Sequence, residues 1–210
     1  MVEGEHGIRV HYQDAHLLVV EKPAGLLSVP GRLPENRDCL ISRVQAIYPD
    51  ALTVHRLDQV TSGLVVFGRG ATMQRALSMQ FERREVEKRY VALVEGVIED
   101  DGGEIDLPLI CDWPNRPRQK VDFDIGKPSL TRWRVLARDP SRGQTRVELE
   151  PVTGRSHQLR VHLAAMGHPI VGDAFYGAAE AGRVCLHATK LALQHPERGE
   201  RMVFAAELPF

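Results

Sequence analysis

An α+β fold, built on a mixed but largely antiparallel sheet with flanking helices, is predicted by three observations. Strand-like and helix-like runs follow one another without the regular βαβ alternation of a doubly wound sheet. Thr131, Trp133, Val135 and Ala137 alternate with Arg132, Arg134 and Arg138, and beyond Pro140-Ser141-Arg142-Gly143 the residues Thr145, Val147 and Leu149 alternate with Arg146, Glu148 and Glu150. That is the pattern of a hairpin with one wet face. Finally, 210 residues of 43% hydrophobic composition suffice for one well-buried core, or for one domain with two lobes. No repeat, low-complexity tract or linker divides the chain, so residues 1–210 read as a single domain.

Each element has its own local reason. His16 to Val20 is a short buried strand, after which Lys22-Pro23-Ala24-Gly25 and Val29-Pro30-Gly31 punctuate a loop. Asp38 is a good N-cap for a helix on which Leu40, Ile41, Val44, Ile47 and Tyr48 recur until Pro49 stops it. Gly63 to Phe67 is a strand, and Gly68-Arg69-Gly70 turns the chain into a second helix. There Met73, Leu77 and Phe81 form the apolar stripe, and Arg75, Arg83 and Arg84 lie off it. A strand from Lys88 to Val94 carries Tyr90. After the hairpin, Thr153-Gly154-Arg155-Ser156 leads into a helix with Leu159, Leu163 and Met166 on its apolar side, Gly167 as its C′ residue and Pro169 just beyond. Val184 to Leu193 and Met202 to Ala206 close the chain as strands.

Composition excludes several classes of function. No apolar run reaches membrane-spanning length, and Met1-Val2-Glu3-Gly4-Glu5-His6 lacks the order of a signal peptide, so the expected location is the cytoplasm. Cys39, Cys111 and Cys185 are widely separated, which points neither to a disulfide framework nor to a metal site. With 27 Lys+Arg against 28 Asp+Glu, any nucleic-acid signal must be local. Two stretches qualify, Arg83 to Tyr90 and Trp113-Pro114-Asn115-Arg116-Pro117-Arg118-Gln119-Lys120. In the second, prolines hold the backbone extended and Trp113 offers a stacking surface beside Arg116 and Arg118. Gly68-Arg69-Gly70 has neither phosphate-loop spacing and reads as a turn. His157 and His162, five apart, fall on different helix faces and read as polar surface, not zinc ligands. Ser62 and Ser156 stand in no recognisable triad.

The segment Val54-His55-Arg56-Leu57-Asp58-Gln59-Val60-Thr61-Ser62-Gly63 carries the chemistry. An aspartate beside arginines suits reaction at a sugar carbon, where a carboxylate can attack or stabilise an anomeric centre. It must stay ionised in a semi-buried pocket, and a facing guanidinium would keep it so. Arg155 and Arg160 are the candidates, at the start and in the second turn of their helix. A plain surface helix start explains their spacing equally well.

These blocks resemble the RluA-type pseudouridine synthases. His55-Arg56-Leu57-Asp58-Gln59-Val60-Thr61-Ser62-Gly63-Leu64 is similar to the family's HRLDxxTSGL signature, Lys88-Arg89-Tyr90-Val91-Ala92 to its KxYxA strand and Thr153 to His162 to its TGRxHQxRVH segment. Gly167-His168-Pro169-Ile170-Val171-Gly172-Asp173 is similar to its GHPIxGD block, and Leu186-His187-Ala188 to its LHA strand. The resemblance implies the pseudouridine synthase fold, with a central catalytic cleft. It implies an isomerisation without cofactor or metal, in which the glycosidic bond breaks, the uracil turns, and carbon 5 replaces nitrogen 1 at the ribose. Asp58 would attack carbon 1′ or abstract the carbon 2′ proton, Tyr90 would stack on the base and help remove the carbon 5 proton, and Arg160 would pair with Asp58. The target base must be flipped out, and Arg56 would fill its place. His55, Arg155 and Leu186 would contact substrate with Trp113, Arg116 and Arg118. The block Asp106 to Val121 resembles the dual-specificity branch, which implies a tRNA anticodon stem-loop and a 23S rRNA loop as substrates. A start directly at the catalytic domain, without an N-terminal RNA-binding extension, fits that branch. No membrane or obligatory protein partner is expected, and the chain should be a monomer. Two rival classes are a non-catalytic RNA-binding module, which would not need Asp58, and a nucleoside hydrolase, which would need to admit water.

Overall fold

The computed structural model describes residues 3–4, 7–31 and 37–210, so the segment read above for a leader falls largely outside it. In chain order the elements are β1 (Glu3–Gly4), β2 (Ile8–Gln13), β3 (Leu17–Lys22), α1 (Leu40–Ile47), β4 (Ala51–Thr53), β5 (Ser62–Arg69), α2 (Gly70–Glu82), β6 (Glu87–Glu95), β7 (Gly102–Asp106), β8 (Leu109–Cys111), β9 (Gln119–Val121), β10 (Leu130–Asp139), β11 (Gln144–Pro151), α3 (Gln158–Ala165), β12 (Leu186–Gln194) and β13 (Arg201–Ala205). This is the expected α+β class. The chain forms two compact units, residues 1–88 with 188–209, and residues 89–187 with 210.

In the first unit, β2, β3 and β5 are antiparallel neighbours, with β4 on β5 and β13 on β12. Leu17, Val19, Leu64, Val66, Leu77, Leu191, Leu193 and Phe204 form its core. Each such aliphatic side chain contributes about 1.5–3 kcal/mol by leaving water. The stripe expected on α2 is there, with Leu77 fully buried, and Gln80 adds a polar tie by bonding both the N–H and the C=O of Gln194 at 2.9 Å. Two local expectations are corrected. The N-cap of α1 is Cys39, whose N–H donates to Ser42 Oγ at 3.1 Å. Asp38 lies one residue earlier, its carboxylate held instead by both arms of Arg43 at 2.7 and 2.6 Å. The second helix ends at Glu82, so Arg83 is its cap and Arg84 lies beyond it. β2 was not anticipated, because His11 and Tyr12 interrupt any apolar alternation.

In the second unit, β6, β11, β10 and β7 lie side by side, antiparallel. The hairpin has the expected wet face, with Arg132 and Arg134 exposed and ion-paired to Glu104 and Glu148. A bulge between Val135 and Ala137 breaks the alternation, so Ala137 is exposed where the pattern placed it inside. The larger correction concerns α3. It begins only at Gln158, which leaves Arg155 outside the helix, and it is buried on its polar positions too: Gln158, Arg160 and His162 are all covered. His162, expected on a polar surface, is fully buried, with Nδ1 2.9 Å from Thr131 Oγ1 and Nε2 donating to the Leu107 carbonyl at 3.1 Å. Burial lowers its pKa and keeps it neutral. Gly167 stands just past the helix as expected, at φ +84°. No disulfide links the three cysteines, and no helix among the described residues is long and apolar enough to cross a membrane.

Candidate active site

Asp58 lies half-buried on the loop between β4 and β5, and both of its neighbours are pinned. On one side Ser28 Oγ donates to the Leu57 carbonyl at 2.7 Å and accepts the Leu57 N–H at 3.1 Å. On the other, the Gln59 carbonyl accepts from Gly25 N–H at 2.8 Å and from Lys22 Nζ at 3.0 Å. Lys22 is fully buried, and its ammonium also donates to the carbonyls of Pro23 (2.9 Å) and Leu26 (2.6 Å). A three-donor cation thus gathers two loops around one point. The Thr61 N–H closes the turn on the Asp58 carbonyl at 3.1 Å. Gly63 follows at φ +116°, where a Cβ would stand 2.4 Å from the Ala188 carbonyl oxygen, so only glycine lets β5 start here.

Arg56 is exposed on the same loop. His55 braces it: Nε2 accepts the Val66 N–H at 3.1 Å, and the ring stacks on Phe81 at 4.4 Å. Burial, with the charge of Lys88 second, pushes its pKa down to about 3, so the imidazole is neutral with its proton on Nδ1.

The second unit carries the remaining candidates. Tyr90 is half-buried on β6, opposite Leu149 of β11. Arg160 is buried on α3 and makes a two-armed bond to Asp173, Nε to Oδ2 at 2.6 Å and Nη2 to Oδ1 at 2.8 Å. The guanidinium lies over the rings of Tyr176 (5.0 Å) and Phe175 (5.7 Å), and Arg118 lies over Phe175 at 5.4 Å. Tyr176 Oη in turn accepts the Gln119 N–H at 2.9 Å and meets His157 Nδ1 at 2.6 Å. Arg118 and Arg160, 42 residues apart in sequence, therefore share one aromatic cluster. Arg155 does not join it; it is exposed, with Nε 3.4 Å from the Pro128 carbonyl. Leu186 is buried at the start of β12. Trp113 and Arg116 are exposed beyond β8 and stack on each other at 4.5 Å. Asp173 and Tyr176 were not picked out from sequence as working residues, although Asp173 ends a recognised block; Lys22 and Ser28 gave no signal of their own.

Among the described residues, Asp14, His16 and His195 are the group whose donor atoms lie close enough for a metal ion. The hydrogen bonds argue against one. His195 Nδ1 accepts the N–H groups of Glu197 and Arg198, so Nε2 carries the proton and donates it to Asp14 Oδ2 at 2.8 Å. A nitrogen holding a proton is not a ligand, and the Arg198 guanidinium lies 3.3 Å from the same carboxylate oxygen.

A model of the RNA pseudouridylate synthase family matches residues 16–165, which include the Asp58 loop and Arg160. The chain belongs to that family. It is 54% identical to the dual-specificity RNA pseudouridine synthase RluA of Yersinia pestis over 96% of this chain and 99% of that one. To the RluA of Escherichia coli K12 it is 51% identical, over 95% and 92%. Its backbone is similar to that of human RNA pseudouridylate synthase domain containing 1, with a TM-score of 0.82 at 29% identity, covering 100% of this chain and 87% of that one. As an RNA pseudouridylate synthase, the chain is an RNA-modifying isomerase.

Proposed function

We propose that the chain isomerises uridine to pseudouridine in structured RNA loops, both in a tRNA anticodon stem-loop and in a loop of 23S rRNA, as a cytoplasmic monomer that needs no cofactor. The observation that carries this reading is the Asp58 loop, where a half-buried carboxylate in the family signature stands between Leu57, held by Ser28, and Gln59, held by Lys22 and Gly25. Such pre-positioning is what a reaction at one sugar carbon needs. The dual-specificity name borne by relatives at 51–54% identity supports the choice of two RNAs.

In this reading Asp58 acts at the ribose, by attacking carbon 1′ or by taking the carbon 2′ proton. The bond from carbon 1′ to nitrogen 1 breaks, the uracil turns, and carbon 5 bonds to carbon 1′ as the Asp58 ester bond breaks or, in the other course, as Asp58 gives its proton back to carbon 2′. The carbon 5 proton leaves with the help of Tyr90, and nitrogen 1 ends protonated, so atoms balance without an outside reagent. Arg160 serves as countercharge to Asp58, and Arg56 fills the place of the flipped base, whose extrusion costs a few kcal/mol. His55, Arg155 and Leu186 are assigned to substrate contact by the family pattern, with His55 acting through the loop it braces.

The test is incubation with anticodon stem-loop RNA and with the 23S loop RNA, followed by mapping of carbodiimide-dependent reverse-transcription stops. A stop with the glycosidic bond intact is expected on both. Free uracil would mean a hydrolase, and neither product would mean a binder. Exposed Arg116 and half-buried Arg118 are assigned to phosphate contacts, where affinity follows counterion release with a slope of about −0.7 to −0.9 per phosphate. Replacing both by Gln is expected to weaken binding of both RNAs and to flatten the log–log salt dependence by roughly one to two units. A double variant that loses thermal stability but keeps its slope would show that these arginines brace the loop instead.

A further inference from the structure

The large exposed aromatic side chains among the described residues are Trp113, Phe123 and Phe175, at 64%, 76% and 45% exposure. All three belong to, or lie against, the ribbon of β8 and β9 with its flanking turns. Trp113 and Phe175 each have an arginine stacked on them. Phe123 does not, and it stands beside Ile125, itself 69% exposed. Single exposed apolar residues are ordinary; a rigid turn that presents two of them is less so.

The turn is built to be rigid. Asp122 Oδ1 accepts the N–H groups of Asp124 and Ile125, both at 3.2 Å, and the Asp122 carbonyl accepts Gly126 N–H at 3.0 Å. The Asp122 N–H donates to the Pro108 carbonyl at 3.0 Å, anchoring the turn to the start of β8. A Cβ on Gly126 would stand 2.2 Å from the Asp122 carbonyl oxygen, so the turn closes only on glycine. Lys120 Nζ pairs with the Asp122 carboxylate at 3.0 Å, which offsets that charge. From residue 112 to 127 the chain carries Arg116, Arg118, Lys120 and Lys127 against Asp112, Asp122 and Asp124, a net of 4 − 3 = +1, in a protein whose net charge is −1. Asp112 is also tied up locally, accepting from Asn115 Nδ2 at 2.9 Å. Exposed rings among cations are the chemistry of stacking on unpaired bases, and apolar side chains that wedge into a base stack hold it open.

We propose that the 122–126 turn is a nucleobase-stacking site, at which Phe123, backed by Ile125, seats an unpaired base of the substrate RNA and keeps it out of the loop stack. The site deepens the function proposed above and rests on it. Its partner is RNA, not protein, because the cations of the same ribbon flank it. Stacking carries no formal charge, so it should leave a signature distinct from that of Arg116 and Arg118.

The experiment measures binding of anticodon stem-loop RNA by Phe123→Ala, Phe123→Trp and Ile125→Ala variants across a salt series. It is repeated with stem-loops bearing one abasic site at each loop position in turn. Phe123→Ala should weaken binding roughly five- to a hundredfold, with the melting temperature and the salt slope unchanged. Phe123→Trp should restore affinity, and Ile125→Ala should have a smaller effect. One abasic position should abolish the difference between wild type and Phe123→Ala. Unchanged affinity, a changed slope, or a loss of the same size on every abasic RNA would overturn the site. A shift in sedimentation between wild type and Phe123→Ala without RNA would assign the turn to contact between protein copies and likewise overturn it. Wild-type turnover on the same RNA is measured alongside. Its absence counts against the proposed function, whereas turnover together with unaltered Phe123→Ala binding counts against this site alone.

Discussion

Asp58→Asn is expected to lower pseudouridine formation by several orders of magnitude while leaving RNA affinity and melting temperature close to wild type. The change removes a charge and a nucleophilic oxygen but almost no volume. Several bonds that set the loop's path do not use the carboxylate: Ser28 holds Leu57, Lys22 and Gly25 hold Gln59, and Thr61 bonds the backbone carbonyl of residue 58, which asparagine keeps. Melting temperature should therefore change far less than turnover. An interaction needed only in the transition state lowers kcat without weakening binding. Measured kcat, RNA Kd and thermal melting together decide the matter. Turnover within tenfold of wild type would remove Asp58 from the chemistry.

The stability of that loop was not legible in the sequence, although its motif was. Lys22 looked like loop punctuation next to Pro23, yet it is fully buried because three carbonyls from two loops, the farthest 37 residues away, converge on its ammonium. Periodicity found the elements whose stabilisation is local and apolar, such as the Met73, Leu77 and Phe81 stripe of α2 and the alternating faces of β10 and β11. It failed on α3 for a physical reason. Gln158 and His162 are polar and read as surface, but they are buried in a chain of bonds to Thr153, Thr131 and the Leu107 carbonyl. Each of those partners except Thr153 lies 27 or more residues away, so only the folded chain can show that the groups are satisfied. The same holds for the site. Asp58 and Arg160 stand out as a carboxylate and a candidate guanidinium, and the family resemblance adds Tyr90 and the roles, whereas Asp173 and Tyr176, which hold Arg160, become visible only through contact.

Arg160→Met is expected to cost about 3–5 kcal/mol of folding stability in addition to any loss of activity, a fall in melting temperature of roughly 6–20 °C for a chain of this size. Arg160 and Asp173 are both buried, and their two-armed bond at 2.6 and 2.8 Å is the means by which the Asp173 carboxylate is accommodated away from water. Taking away the guanidinium leaves a buried anion without that partner, which is far more harmful than losing the pair as a whole. Replacing both residues, as in Arg160→Met with Asp173→Leu, should recover much of the lost stability, because the backbone bonds that shape the turn after Asp173 do not involve its side chain. Activity should not return with it if Arg160 also serves the reaction. Thermal melting of the two single variants and the double variant gives the coupling energy directly, and turnover measured below the lowest melting temperature separates the two tasks. A double variant as unstable as Arg160→Met would show that Asp173 is not what Arg160 sustains, and a stable double variant with wild-type turnover would confine Arg160 to the fold.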